Sequence, residues 1–115
     1  MKYDVSIVMP AIRTHQWLML YGSLFNACRK HSWELVLVSP FDLPKELEDK
    51  FDNIKLIKDF GAPTRAAQIG ALECEGEYMY HCVDDAIFLP DAIDNALIFH
   101  RANCNYKDVI NMRYR

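Results

Sequence analysis

The segment VSIVMP at residues 5–10 is a mostly apolar run that stops at a proline. Apolar side chains on both faces are typical of a strand that is buried in a parallel sheet. Proline lacks the N–H group that a central strand needs, so we expect this strand to end at about Met9. The segment therefore predicts a sheet that is covered on both faces.

Similar apolar runs recur along the chain and are separated by segments with helical spacing. Further strands are predicted at residues 34–38, 54–57 and 78–83, with a terminal strand at residues 109–114. Helices are predicted to begin at Thr14, Pro44, Thr64 and Pro90, the two threonines acting as caps. Strands that alternate with helices imply right-handed crossovers. They predict an α/β fold of three layers, α/β/α, around a mostly parallel sheet.

The composition is that of an ordinary globular domain and excludes several functions. The 115 residues carry a formal net charge of -3, and no cluster of lysine and arginine suggests a nucleic-acid surface. No apolar run approaches the roughly 20 residues that span a bilayer. The amino terminus also lacks a secretory cleavage site, so we expect a cytoplasmic protein with no transmembrane segment. The chain has four cysteines without C-x-x-C spacing, Cys28, Cys74, Cys82 and Cys104. We expect them to be free thiols in the cytoplasm.

Four loops are expected to meet at the carboxyl edge of the sheet, where folds of this kind bind ligands. These loops are residues 10–13, 39–42, 59–65 and 84–86. Two adjacent carboxylates, Asp84 and Asp85, follow the fourth strand and are the type of ligand that Mg²⁺ and Mn²⁺ prefer. The alternative is that they only solvate a loop. The histidines without ligand spacing, expected at the surface, are His15, His31 and His100.

Three segments carry a resemblance to a known family, namely residues 5–10 (VSIVMP), 61–70 (GAPTRAAQIG) and 75–90 (EGEYMYHCVDDAIFLP). In this order they resemble the first half of family 2 glycosyltransferases, which have the GT-A fold. Residues 5–10 are similar to that family's first strand, and residues 61–70 (GAPTRAAQIG) to its Gly-rich stretch and following helix. Residues 75–90 are similar to the run around the DXD motif, and the order and spacing agree over about residues 4–97. The resemblance implies a sheet of strand order 3-2-1-4. It also implies that residues 1–115 form one nucleotide-sugar-binding domain, about half of a usual GT-A domain.

The resemblance implies a ligand as well. This is a UDP- or GDP-sugar bound with Mn²⁺ or Mg²⁺, whose sugar is transferred to an unidentified acceptor. Asp85 is expected to bind the metal directly, and Asp84 to reach the ribose or a metal-bound water. Neighbouring residues of an extended chain point to opposite sides, so the two need not share a task. The other residues expected at the nucleotide-sugar site are Pro10, Ala11, Arg13, Ser39, Asp42 and Arg65. For the two arginines, an ordinary surface role is the alternative.

The chain departs from the family at positions that bear on activity. Residues 39–42 (SPFD) stand where the family usually ends its second strand with acidic residues, which leaves Asp42 as the substitute. Residues 67–68 (AQ) stand where the family often has Arg-Asn, and Cys82 replaces the first acid of the longer Asp-x-Asp-Asp form. The family's catalytic base lies in a second half of the fold that these residues do not include. No catalytic residue is therefore identified, and enzymatic activity is left open.

Three alternatives follow from these departures. The chain could be a non-catalytic nucleotide-binding or assembly module, or a truncated fragment of a transferase. It could also be an unrelated doubly wound domain such as a flavodoxin-like receiver, although receivers carry their acid pair after the first strand. In each GT-A-like case the fourth strand has an open edge. An open edge predicts a homo-oligomer through that side, unless a strand at residues 109–114 covers it.

Overall fold

The computed structural model of the protein describes residues 2–48, 52–105 and 107–110. The strands are β1 (Tyr3–Pro10), β2 (Trp33–Ser39), β3 (Ile54–Lys58) and β4 (Gly76–His81). The helices are α1 (Trp17–Ala27), α2 (Lys45–Glu48), α3 (Pro63–Glu73) and α4 (Ala92–Asn103), and a 3-10 turn at Thr14–Gln16 precedes α1. No helix in this described part of the chain is long and apolar enough to cross a membrane.

The strands form one parallel sheet in the order β3-β2-β1-β4. At its centre, Val8 of β1 is paired with Val36 of β2 on one side and His81 of β4 on the other. The predicted α/β fold and the strand order 3-2-1-4 are therefore confirmed. Because β1 and β4 are neighbours, the loops that follow these two strands begin side by side.

The main core lies between the sheet and the helices α1 and α4. Alternate residues of β1 project into it, namely Val5, Ile7 and Met9, and each is at most 2% exposed. The helices contribute buried side chains at helical spacing, among them Trp17, Leu20, Leu24, Ile93 and Leu97. Burying one large apolar side chain stabilises the fold by about 1.5–3 kcal/mol. This core therefore fixes α1 and α4 against one face of the sheet.

Helix α3 packs on the other face of the sheet, against β1 and β2. It comes close because Gly70 has no side chain: a Cβ there would collide with Cγ1 of Val8 and lie 3.2 Å from Cγ2 of Val38. The helix begins at Pro63, whose missing N–H is not needed in the first turn. The prediction that Thr64 caps this helix is therefore wrong by two residues, because the N-cap is Ala62, and no side chain caps the helix.

A buried glutamate fixes the turn that leads from α3 into β4. Glu34 is 2% exposed and accepts hydrogen bonds from Ser6 Oγ and from the N–H of Glu75, both at 2.6 Å. Gly76 donates its N–H to Ser6 Oγ at 2.8 Å, and a Cβ at Gly76 would lie 2.5 Å from Ser6 N. A glycine is therefore required where β4 begins against β1.

The predicted strand at residues 109–114 is not formed in its described part. Residues 109 and 110 have no strand structure, and residues 111–114 lie outside the described residues. The described tail is hydrogen-bonded to α4, because His100 Nε2 donates to the carbonyl of Asp108 at 3.0 Å, and residues 108–110 line a cavity together with residues 78–80 of β4. Within the described part of the chain, β4 is therefore an outer strand of the sheet.

Candidate functional site

Backbone hydrogen bonds continue the sheet past the ends of its strands and hold the loops at its carboxyl edge together. Cys82, just after β4, donates its N–H to Val8 O at 3.0 Å. Asp59, just after β3, donates its N–H to Ser39 O at 3.1 Å. The four loops predicted to form the ligand-binding edge therefore leave from one row of strand ends.

The carboxylate of Asp84 is held by residues of the β1–α1 loop. Its Oδ2 accepts the backbone N–H groups of Ile12 at 2.8 Å and Arg13 at 2.6 Å. The same oxygen accepts the indole N–H of Trp17 at 3.1 Å, and Oδ1 accepts Arg13 Nη1 at 2.8 Å. The Asp84 side chain is 1% exposed. We call these four residues, Asp84 with Ile12, Arg13 and Trp17, the Asp84 clamp.

The Asp84 clamp keeps its carboxylate ionised and also sets where the first helix starts. Burial disfavours the charged form, but hydrogen bonds from Arg13, Trp17 and Ile12 outweigh it, so the pKa of Asp84 lies below its usual value. The accepted backbone N–H groups come just before the 3-10 turn, whose start has no local side-chain cap. The prediction that Thr14 caps this helix is therefore wrong, since a carboxylate from a distant loop satisfies these donors.

The two aspartates differ because they occupy the centre of a tight turn. Ala86 N donates to Val83 O at 3.4 Å and closes the turn around Asp84 and Asp85. Asp84 is buried in the clamp, whereas Asp85 is exposed. In the described ranges, Asp85 forms no salt bridge. The role predicted for Asp84 on a ligand stays a prediction, and its contacts in this conformation are internal.

A metal ion at this edge needs ligands beyond Asp85. The residues that the structure describes contain no group of three or more His, Cys, Asp or Glu side chains that could hold one. Mg²⁺ and Mn²⁺ are commonly bound by one or two carboxylates together with phosphate oxygens and water. The residues present therefore fit a metal that arrives with a diphosphate, and they do not fit a metal held by the protein alone.

On the β2–β3 side of the edge, Asp42 and Arg65 are both engaged in ion pairs. Lys58 Nζ lies 2.6 Å from Asp42 Oδ1, and Arg65 Nε lies 3.1 Å from Asp59 Oδ1. The side chains of Asp42 and Arg65 are 87% and 68% exposed. Exposed ion pairs are weak, so an anionic ligand can compete with Asp42 for Lys58 and with Asp59 for Arg65.

The remaining predicted residues shape the loops with groups that are largely buried. Ser39 is fully buried, and its Oγ accepts the N–H of Phe41 at 3.1 Å. Ala11 is 1% exposed and donates its N–H to Val38 O at 3.0 Å. Pro10 is half-buried at the end of β1. The structure thus brings Arg13 and Asp84 into direct contact and places the other predicted residues on neighbouring loops.

Trp17 and Asp59 are among the residues of this edge that sequence reasoning missed. A buried tryptophan usually needs an acceptor for its indole N–H. The sequence therefore indicates that Trp17 has an acceptor, but it does not identify Asp84 as that acceptor. Asp59 accepts the N–H of Gly61 at 3.0 Å, a bond that an aspartate commonly makes two residues along the chain. That local signal was present in the sequence.

No protein-family model matches the chain, and comparison with curated proteins finds no matching relative. The resemblance to family 2 glycosyltransferases therefore rests on the segments quoted above and stays a prediction.

Proposed function

We propose that the protein binds a nucleoside diphosphate sugar, as its complex with Mn²⁺ or Mg²⁺, at the carboxyl edge of the sheet and takes part in transferring the sugar. The observation that carries this proposal is the turn at residues 83–86. It buries Asp84 in the clamp and leaves the Asp85 carboxylate exposed next to the loop that carries Arg13. An exposed carboxylate and a cation at the carboxyl edge of a parallel sheet suit a metal-bridged diphosphate.

Asp85 and Arg13 have complementary tasks in this proposal. Asp85 supplies a carboxylate oxygen to the metal, which when bound neutralises charge on the departing diphosphate. Arg13 uses Nη1 for Asp84, but its side chain is 43% exposed and its remaining N–H groups are available to a phosphate oxygen. The bond to Asp84 orients the guanidinium, so Asp84 acts as a positioning residue.

A second candidate is a module that binds the nucleotide without turning it over. It is favoured by the ion pairs at this edge, because a general base must be free to accept a proton. Every aspartate of the four loops except Asp85 is paired with a basic side chain, namely Asp42, Asp59 and Asp84. If the purified protein released or transferred sugar from a UDP- or GDP-sugar, the protein would be an enzyme and the non-catalytic module would be excluded.

Calorimetric titration with UDP and GDP, with and without Mn²⁺, tests the binding proposal. We expect binding that requires Mn²⁺, little affinity for Mn²⁺ alone, and a loss of more than about tenfold in Asp85→Asn. The matched control is Asp52→Asn, which removes the same charge from an exposed turn that precedes β3 at the opposite edge of the sheet. Binding that ignores Mn²⁺, or equal affinities for the two variants, would overturn the proposal.

A further inference from the structure

Two exposed phenylalanines lie in neighbouring loops at the carboxyl edge. Phe41 follows β2 and is 49% exposed, and Phe60 follows β3 and is 82% exposed. An exposed large apolar side chain is ordinary when isolated. Here two of them lie at adjacent strand ends, on the edge where parallel sheets bind ligands. This position indicates that the two side chains contact a ligand.

The strand register places these two residues at equivalent positions. Ser39 of β2 is paired with Lys58 of β3, and each phenylalanine lies two residues beyond its member of that pair. Lys58 also joins the two loops, because its Nζ donates to Pro40 O at 3.3 Å. The loops therefore leave the sheet side by side.

Hydrogen bonds hold the backbone of both loops. The N–H of Phe41 is bound by the buried Ser39 Oγ at 3.1 Å. On the other loop, Asp59 accepts the N–H of Gly61 at 3.0 Å and Arg65 Nε at 3.1 Å. Both rings are therefore carried by loops that are fixed before any ligand binds, which lowers the ordering cost of binding.

The size and surroundings of the pair select its occupant. The two loops that carry the rings also hold charged side chains, because Asp42 is paired with Lys58 and Asp59 with Arg65. The apolar surface of two rings is far smaller than the roughly 800 Å² that each partner buries in a stable protein interface. They match a flat aromatic ligand of nucleobase size, and every nucleobase has a π face that can stack on an aromatic side chain.

We propose that Phe41 and Phe60 form an aromatic platform that stacks the base of the bound nucleotide and favours purines over pyrimidines. This inference rests on the proposed function, because the diphosphate site brings the base to this edge. Purines are favoured because their fused rings present a larger face to the two side chains. The donor would accordingly be a purine nucleoside diphosphate sugar, with GDP as the test ligand.

The test compares the affinities of GDP, UDP and inorganic pyrophosphate, each with Mn²⁺. We expect GDP to bind at least about tenfold more tightly than pyrophosphate, and about threefold or more tighter than UDP. Phe41→Ala and Phe60→Ala should each weaken GDP about fivefold or more and leave pyrophosphate unchanged. The matched control, Phe25→Ala on α1, removes a ring that is 60% exposed away from this edge and should change nothing.

The outcomes separate this inference from the proposed function. The platform is refuted if GDP with Mn²⁺ binds no more tightly than pyrophosphate with Mn²⁺. It is also refuted if a variant with both Phe41→Ala and Phe60→Ala binds GDP with the affinity of the wild type. In either case the diphosphate site stands as long as pyrophosphate binds with Mn²⁺. If none of the three ligands binds, both are refuted. Thermal unfolding of each variant shows whether it is folded, and both side chains are exposed enough that we expect no loss of stability.

Discussion

Asp84 shows how two identical neighbouring side chains acquire different tasks. Its carboxylate is bound by groups that lie between 67 and 72 residues earlier in the chain. Asp85 follows it directly and is left exposed. The hydrogen bonds to a charged acceptor compensate its burial only while the donors are present. At this scale, Asp84 holds the loop in place, and the exposed Asp85 is the residue that we propose for the metal.

Asp84→Ala should lower the free energy of unfolding by about 1–3 kcal/mol, because the buried indole N–H of Trp17 loses its acceptor together with Arg13 and two backbone N–H groups. The matched change is Asp85→Ala, one residue further and exposed, which should stay within about 0.5 kcal/mol of the wild type. Urea unfolding followed by circular dichroism measures both. Similar losses in the two variants would contradict the structural role of the clamp.

The acid response of the same variant has a definite sign. Burial raises the pKa of Asp84, but the hydrogen bonds that its carboxylate accepts outweigh burial. The pKa of Asp84 is therefore lowered in the folded state. Its stabilising contribution is therefore complete above the ordinary carboxyl pKa of about 4 and is lost as the pH falls through the lower folded value. The stability gap between wild type and Asp84→Ala should shrink below about pH 4. A gap that widens there would exclude this account.

Among the structural elements, the strands could be predicted from sequence better than the helix starts. A run of apolar residues leaves a local pattern, and all four internal runs became strands within a few residues, although only β1 and β2 are largely buried. The α1 start depends on Asp84 in another loop, and α3 begins at Pro63. Contacts between residues far apart leave no local pattern, which is why caps at Thr14 and Thr64 were wrongly expected.

Two histidines illustrate the same limit. His31 and His100 were expected at the surface, but their side chains are mostly buried. His31 Nδ1 lies 2.6 Å from the buried carboxylate of Asp94 on α4, and His100 is bonded to the tail at Asp108. Each histidine has a polar partner from another segment, although Nδ1 of His100 has none among the described residues, and the sequence spacing did not reveal either partner.

Two helix glycines should respond to alanine in opposite directions. In α3, the new Cβ of Gly70→Ala would collide with Val8 and crowd Val38, and overpacking of this kind costs about 1–3 kcal/mol. In α1, a Cβ at Gly22 meets nothing within 4 Å. Alanine there should add about 0.5–1 kcal/mol through helix propensity. Thermal unfolding compares them, and equal shifts would mean that α3 does not depend on close packing at Gly70.

At the scale of the whole molecule, topology predicted where a ligand site should lie but not which groups would be free in it. The carboxyl edge follows from parallel strands, and the strand order is confirmed. Asp84 and Asp85 are equivalent in sequence and differ only in what the β1–α1 loop offers them. The ion pairs of Asp42 and Arg65 likewise depend on how neighbouring strands are aligned.

The outer edge of β4 bears on assembly. Cys82 donates its N–H toward β1, to Val8 O, and N–H groups alternate in direction along a strand. Those of Met79 and His81 therefore face away from β1. In the described ranges β4 is paired with β1 alone, and the described tail is bonded to α4 at His100. A strand edge that no further strand covers invites association.

We expect the protein to form a dimer or larger assembly through β4, unless the segment at residues 109–114 covers that edge, as the strand order alone suggested. Met79→Lys places a charge on this edge and should shift the protein toward monomer, because charged side chains oppose strand pairing between molecules. Met19→Lys on α1 is the matched control, since Met19 is 62% exposed and Met79 is 52% exposed. Sedimentation velocity over a concentration series measures the distribution for all three proteins. A monomeric wild type, or an equal response to the two lysines, would exclude the β4 edge as the interface.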